Sequence, residues 1–206
     1  MGVRDRNRAE VTAKILEAAR AEIAERGGVG LSMRAVARDA GLASSAIYRY
    51  FPTREALLTA MVIESYAHLD EALRQPEGWA ALAHATRDWA RAFPHEYQLI
   101  YGTPIPGYAA PPETIPSAER VARHFLEAVG DHDVAGFDTP ELAEQMARLA
   151  GEDGSRSGAA AVLAELAALT GFVSLELAGH FVGTADPADA LFQAMVARQG
   201  RTLGTH

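Results

Sequence analysis

Ser44, Ser45, Tyr48 and Arg49 carry hydroxyl, phenol and guanidinium groups on the outward side of a short segment between Gly41 and Pro52. Small or hydrogen-bonding side chains in that pattern suit close approach to base edges and phosphates. The DNA major groove, about 12 Å wide, accepts a helix that presents them. Catalytic chemistry has no comparable cluster. The chain has no cysteine, which excludes disulfides, thiolate nucleophiles and cysteine-ligated zinc or iron–sulfur sites. Its 7 histidines fall in no His-Glu-x-x-His spacing, and there is no Gly-x-Ser-x-Gly elbow, Walker loop or dinucleotide fingerprint. Asp131-His132-Asp133 has the residue types of a metal site, but in a short loop it reads as a solvated turn. No enzyme, metal or cofactor is expected.

The elements that would position these groups are helices. Alternating apolar–polar runs are missing, so nothing reads as a strand. Val11, Ile15, Ala19 and Ile23 recur every four residues, one face of a helix that Gly27-Gly28 ends. A short helix is expected from Ser32 to Ala40, with Met33, Val36, Ala37 and Ala40 on one side. Gly41 breaks it, and a second runs from Ser44 to Phe51 with Ile47 and Phe51 inward. Two short helices around a glycine turn are a helix-turn-helix. Pro52-Thr53 opens a longer helix carrying Leu57, Leu58, Met61 and Val62. Further helices are expected over 77–92, 94–101, 116–129, from Thr139-Pro140, over 159–181 and over 187–199, with 102–114 a proline-rich loop.

The chain of 206 residues carries a net charge of −8, which looks hostile to nucleic acid. Split by position it reads differently. Residues 1–58 hold 10 Lys+Arg against 7 Asp+Glu, a balance of +3, and residues 59–206 hold 9 against 20, a balance of −11. That asymmetry suggests a nucleic-acid-binding head on a body with another task. No apolar run approaches the roughly 20 residues of a membrane span. The N-terminal Met1-Gly2-Val3-Arg4-Asp5-Arg6-Asn7-Arg8 lacks the apolar segment of a signal peptide. A cytoplasmic location is the default expectation.

The run Leu31-Ser32-Met33-Arg34-Ala35-Val36-Ala37-Arg38-Asp39-Ala40-Gly41-Leu42-Ala43-Ser44-Ser45-Ala46-Ile47-Tyr48-Arg49-Tyr50-Phe51-Pro52-Thr53-Arg54-Glu55-Ala56-Leu57-Leu58 closely resembles the DNA-binding domain of the TetR family of transcriptional repressors. Tyr48-Arg49-Tyr50-Phe51 matches the family's Tyr-x-(His/Tyr)-Phe, and Arg54 with Leu57-Leu58 matches the opening of its next helix. The resemblance implies an all-α fold of about nine helices. A three-helix helix-turn-helix domain over 8–58, its motif at about 32–51, would join a ligand-binding and dimerisation bundle over 59–206. It also implies roles. Ser32 would cap its helix and touch a phosphate, and Arg34 would reach phosphate or a base edge. Ser44, Ser45 and Ala46 would face the groove floor. Tyr48 and Tyr50 would bond backbone phosphates, Tyr50 being equally readable as a half-buried core aromatic. Arg49 would clamp a phosphate or read guanine, and Arg54 would contact the strand backbone. Two positions depart from many relatives: Ala43 lacks a capping hydroxyl, and Ala46 shifts readout toward apolar contact.

The stretch from Phe93 to Tyr108 is similar to the C-terminal domain of one TetR subgroup, although residues 166–171 lack that subgroup's tryptophan and histidine. The resemblance implies that the last two helices pair across a two-fold axis through Leu163, Leu166, Leu175, Ala178, Gly179, Leu191 and Met195, an ordinary intramolecular core being the alternative. Trp89, Phe93, Tyr97, Tyr101, Tyr108, His124, Phe125 and Phe172 suit a pocket for a largely apolar small molecule, plain core packing again being the alternative. The expected partners are a palindromic double-stranded operator, a second copy of the chain and a small-molecule effector, with no membrane. A helical interaction module without DNA binding, or an activator of the same fold, is the rival reading.

Overall fold

The computed structural model describes residues 2–152 and 154–205, the side chain of Val3 excepted, and its regular structure is helical throughout. The helices are α1 (Val3–Arg26), α2 (Met33–Asp39), α3 (Arg54–Ala72), α4 (Gly78–Ala92), α5 (Pro94–Tyr101), α6 (Ile115–Val129), α7 (Pro140–Ala150), α8 (Arg156–Leu177) and α9 (Asp189–Thr202). They fall into two compact units. One takes the chain up to Ala67 and adds His95–Ser117; the other takes His68–Pro94 and the chain from Ala118 onward.

The first unit is built on the period-four face of α1. Ile15, Ala19 and Ile23 are buried with Leu31, Val36, Ala37, Ile47, Phe51, Leu57 and Leu58. Burying each large aliphatic side chain contributes about 1.5–3 kcal/mol, so this face decides where α1 sits. Gly27 ends α1 at φ 68°, a conformation in which a side chain would be strained. Ser32 caps α2, its Oγ accepting from Ala35 N at 3.3 Å. Leu99, Ile105 and Tyr108 pack on the same core, so the proline-rich loop and α5 belong to this unit.

The expected second motif helix differs from a regular one. Residues 44–46 form turns and Ile47–Arg49 a single 3-10 turn. Bonds spanning three residues, Arg49 N to Ala46 O at 3.2 Å and Tyr50 N to Ile47 O at 2.9 Å, outnumber the four-residue bond from Phe51 N to Ile47 O at 3.0 Å. The cause is local. Ser44 and Ser45 are weak helix formers, Ala43 provides no capping side chain, and Pro52 stops extension after too few residues to propagate an α-helix. Fully buried Ile47 anchors the segment nonetheless.

In the second unit, Trp79, Leu82, Ala83, Trp89 and Ala90 of α4 and Val121, Phe125 and Val129 of α6 are buried. Arg87 is buried among them. Its Nε and Nη2 donate to the two Glu176 oxygens at 2.7 and 2.5 Å, its Nη1 donates to Asp189 at 2.9 Å, and the guanidinium lies 4.6 Å from the Phe192 ring centre. One side chain thereby joins α4 to the end of α8 and the start of α9. The α8 helix runs from Arg156 to Leu177 rather than over 159–181, because Gly179 at φ 75° turns the chain after the Ala178 cap. By length and composition α8 is apolar enough to cross a membrane, contrary to expectation, yet half of its apolar window is buried inside the protein. Its Glu165 accepts from Arg198 of α9 at 3.3 Å.

Candidate nucleic-acid interface

The residues expected to meet DNA divide into an exposed set and a supporting set. Arg34, Ser44, Ser45, Tyr48 and Arg49 are exposed, and Ala46 is half-buried. Tyr48 keeps 51% of its surface in solvent. A phenol left that open on a rigid, Ile47-anchored turn presents both a flat apolar face and a hydrogen-bonding tip. Among the described residues no carboxylate pairs with the guanidinium of Arg34 or Arg49.

Ser32, Arg34, Ala35, Leu42, Ala43 and Ser44 line a shallow groove of about 580 Å³ together with Arg26 and Arg38. Three guanidiniums, the start of a helix and two hydroxyls converge there. Arg26 lies 3.6 Å from Glu22 and 3.9 Å from Glu25, so of the three guanidiniums Arg34 is the one with no carboxylate partner among the described residues. Arg26 and Arg38 were not singled out from sequence. A signal exists: Arg34 and Arg38 are four apart on α2 and so share its outer face. Arg38 is tied to Asp39 at 2.8 Å, and that hydrogen bond holds the Asp39 carboxyl below its usual range.

Arg54, expected at the strand backbone, has partners inside the protein. Its Nε donates to Leu31 O at 3.0 Å, and its Nη2 donates to Gly28 O at 2.7 Å and Val29 O at 2.8 Å. These carbonyls lie in or just after the 3-10 turn at Gly28–Gly30, outside any α-helix, and one guanidinium gathers them just before α2. Arg54 therefore fixes the entry to the motif. Gly28 is packed so closely there that an added Cβ would stand 2.6 Å from Ile105 Cδ1. Tyr50 is half-buried against the core, with Arg8 lying 5.3 Å from its ring centre and donating to Arg49 O at 3.4 Å. These contacts hold the end of the motif against α1.

The eight expected pocket residues fall in both units, where Tyr97 packs on Tyr101 at 5.3 Å and Trp89 on Phe93 at 6.4 Å. Tyr97, Tyr101 and Tyr108 lie in the first unit; Trp89, Phe93, His124, Phe125 and Phe172 lie in the second. Each has ordinary packing partners. Tyr101 meets Tyr66 edge-on at 6.3 Å, and burial pushes its phenol upward. The Tyr108 hydroxyl is 3.2 Å from Thr59. Phe125 packs on Trp79, Phe172 on Phe181 and Phe192, and Phe93 on His68, while His124 Nε2 sits 2.8 Å from Asp70. A cavity of about 580 Å³ does exist in the second unit, between α6, α7 and the start of α8, and none of the eight lines it. The Asp131-His132-Asp133 turn is exposed. His132 Nε2 is 2.7 Å from Leu203 O, and Asp133 accepts from Ser155 and Ser157, which hold its carboxyl below the usual range.

The residues expected at a two-fold interface show a consistent exposure. Leu163, Leu175 and Leu191 leave 36%, 46% and 44% of their surfaces open. Ala178 and Gly179 are exposed with them, while Leu166 and Met195 are half-buried. Exposed Ala164, Ala167, Ala168 and Gly171 continue the stripe along α8. The apolar face of α8 is thus only half covered by its own chain.

A profile of bacterial regulatory proteins, tetR family, matches residues 15–61, and one of the tetracyclin repressor-like C-terminal domain matches residues 79–199. The HTH-type transcriptional regulator Rv1816 of Mycobacterium tuberculosis is 37% identical over 153 residues, which cover 69% of this chain and 64% of that protein. The chain therefore spans less than two thirds of that relative's length. The crystal structure of the regulatory protein SCO4313 superposes with a TM-score of 0.80 at 31% identity, covering 96% of this chain and 98% of that one. A TetR variant of Acinetobacter baumannii, solved in complex with minocycline, shares the fold at a TM-score of 0.50 and 18% identity, over 91% and 94% of the two chains.

Proposed function

The chain belongs to the TetR family of DNA-binding transcriptional regulators, which are not enzymes, and from that premise we propose that it is a cytoplasmic homodimeric repressor released from a palindromic operator by a small molecule. The observation that carries the reading is the pairing of two exposed surfaces. One is the rigid turn bearing Ser44, Ser45, Tyr48 and Arg49 beside the arginine-lined groove. The other is the half-open leucine and alanine stripe of α8 and α9.

In this reading the stripe pairs with its copy about a two-fold axis, which turns one head into two. Two heads about 34 Å apart, or somewhat more, address successive turns of a palindrome. Arg34 neutralises a phosphate and releases counterions, while Arg38 and Arg26 do so only by exchanging their carboxylate partners for DNA. Tyr48 contacts phosphate and sets register, and Ser44, Ser45 and Ala46 face the bases. Arg54, Arg8 and Tyr50 position the motif without reading DNA. An effector lowers affinity by binding more tightly to a dimer whose heads are wrongly spaced.

The test is fluorescence anisotropy on genomic fragments selected by the chain, over a salt series. A palindromic site bound by a dimer, with affinity falling steeply as salt rises, supports the reading. Absence of any fragment bound at low salt overturns it. Loss of binding in a Tyr48→Ala, Arg49→Ala double variant that remains a folded dimer assigns the contact to the motif.

A further inference from the structure

We propose that the cavity between α6, α7 and α8 is a binding site for a small organic cation with an apolar body, an alkyl- or arylammonium compound. This deepens the effector reading above and rests on it only for the consequence, not for the binding itself. The volume, about 580 Å³, lies within the roughly 300–1,000 Å³ typical of small-molecule sites. Leu126, Leu149, Ala159 and Val162 give it an apolar wall. Gly130, Gly151, Gly154 and Gly158 also line it, so backbone rather than side chain forms much of the rest.

The charges on the lining choose the ligand. Arg148 of α7 donates to Glu119 of α6 at 2.5 Å, so those two cancel. Arg123 and Glu127 also line the cavity with no ion pair between them, so the lining as a whole holds three carboxylates, Glu119, Glu127 and Asp131, against two guanidiniums, Arg123 and Arg148. Asp131 remains, exposed and with no hydrogen-bond or ion-pair partner among the described residues. An excess of one negative charge beside an apolar wall favours one positive charge and disfavours a carboxylate ligand. The α7 wall is also the less settled one. None of its residues is fully buried, although Leu142, Met146 and Leu149 share an apolar face. A ligand body would cover part of that face. It would press on Ala159 and Val162 of α8, the helix that carries exposed Leu163 and Leu175, so occupancy is felt at the proposed two-fold interface.

Isothermal titration of the full-length protein without DNA tests this, with n-octylammonium, octanol and octanoate as probes of equal chain length. The expected result is one octylammonium per chain, bound at least tenfold more tightly than octanol, with octanoate weakest. Asp131→Asn should remove the preference for the amine and leave octanol binding unchanged. Leu149→Trp, on the wall with no buried residue, should fill the cavity and abolish binding of all three with the fold intact by circular dichroism. Equal binding of amine and alcohol, a preference that survives Asp131→Asn, binding that survives Leu149→Trp, or several cations adsorbed per chain would each overturn the proposal. Binding of the amine by a chain that selects no operator would fail the repressor reading alone; operator binding with no amine bound would fail the site alone.

Discussion

Arginine serves opposite ends in the two units. In the first, Arg34 on the groove and Arg49 on the motif turn stand in solvent, and no carboxylate among the described residues satisfies them. In the second, Arg87 is buried and wholly engaged. Its hydrogen bonds to Glu176, chiefly, and to Asp189 hold it protonated beyond its ordinary value against the cost of burial. A buried cation must find its partners at home, because leaving it unpaired costs several kcal/mol. An exposed cation can wait for them. The difference separates residues that build the protein from residues that meet something else, and Arg54 crosses the line: it lies in the head but behaves like Arg87.

That division can be broken by substitution. Arg87→Met should cost about 3–5 kcal/mol of stability in denaturant titrations, since it strands Glu176; the salt dependence of DNA binding by the folded fraction should not change. Tyr48→Ala with Arg49→Ala should do the reverse. We expect a loss of about 2–4 kcal/mol in DNA affinity, roughly 30- to 700-fold, and a stability change within about 0.5 kcal/mol. Arg54→Met sharpens the contrast. It should lower stability by about 1.5–3 kcal/mol by releasing three carbonyls from a charged donor, with DNA affinity falling only as far as the motif loosens. A large affinity loss at unchanged melting temperature would return Arg54 to the strand contact expected from sequence.

The smallest effect is one of pH. Bonding to Arg87 holds the Asp189 carboxyl below its usual range. The folded state therefore binds that proton less readily than the unfolded state, so the contribution is present above about pH 4 and is lost as pH falls through the lowered value. The stability gap between wild type and Arg87→Met should narrow over that acid range, measured by urea melts at stepped pH. A gap independent of pH would remove Asp189 from the pair.

Much of this was legible in sequence, for reasons that can be named. Helices with a long apolar period or a glycine stop, such as α1, announce themselves, because core packing and chain termination are both local. The segment from Ser44 to Phe51 is too short for periodicity to separate an α-helix from turns around a 3-10 core. Arg87 was readable in part: it falls on the face of α4 shared by Ala83 and Ala90, where a charge needs a partner, but Glu176 and Asp189 lie far along the chain. An aromatic pocket and an aromatic core read alike in sequence. A void is a property of how helices miss one another, and residue type reports packing, not its absence. The arginine groove stands between the two cases, since Arg34 and Arg38 share a helical face but Arg26 arrives from another element.

The half-open stripe of α8 has a consequence for dose. Under the proposed two-fold pairing, each operator-competent particle needs two chains whose leucines stay in water until they meet, so its amount varies with the square of protomer concentration when protein is scarce. Operator occupancy then falls faster than expression. A cell that dilutes the protein by growth passes from silence to transcription over a narrower range than a single-chain regulator would allow. The alanine and glycine positions along that stripe set how narrow.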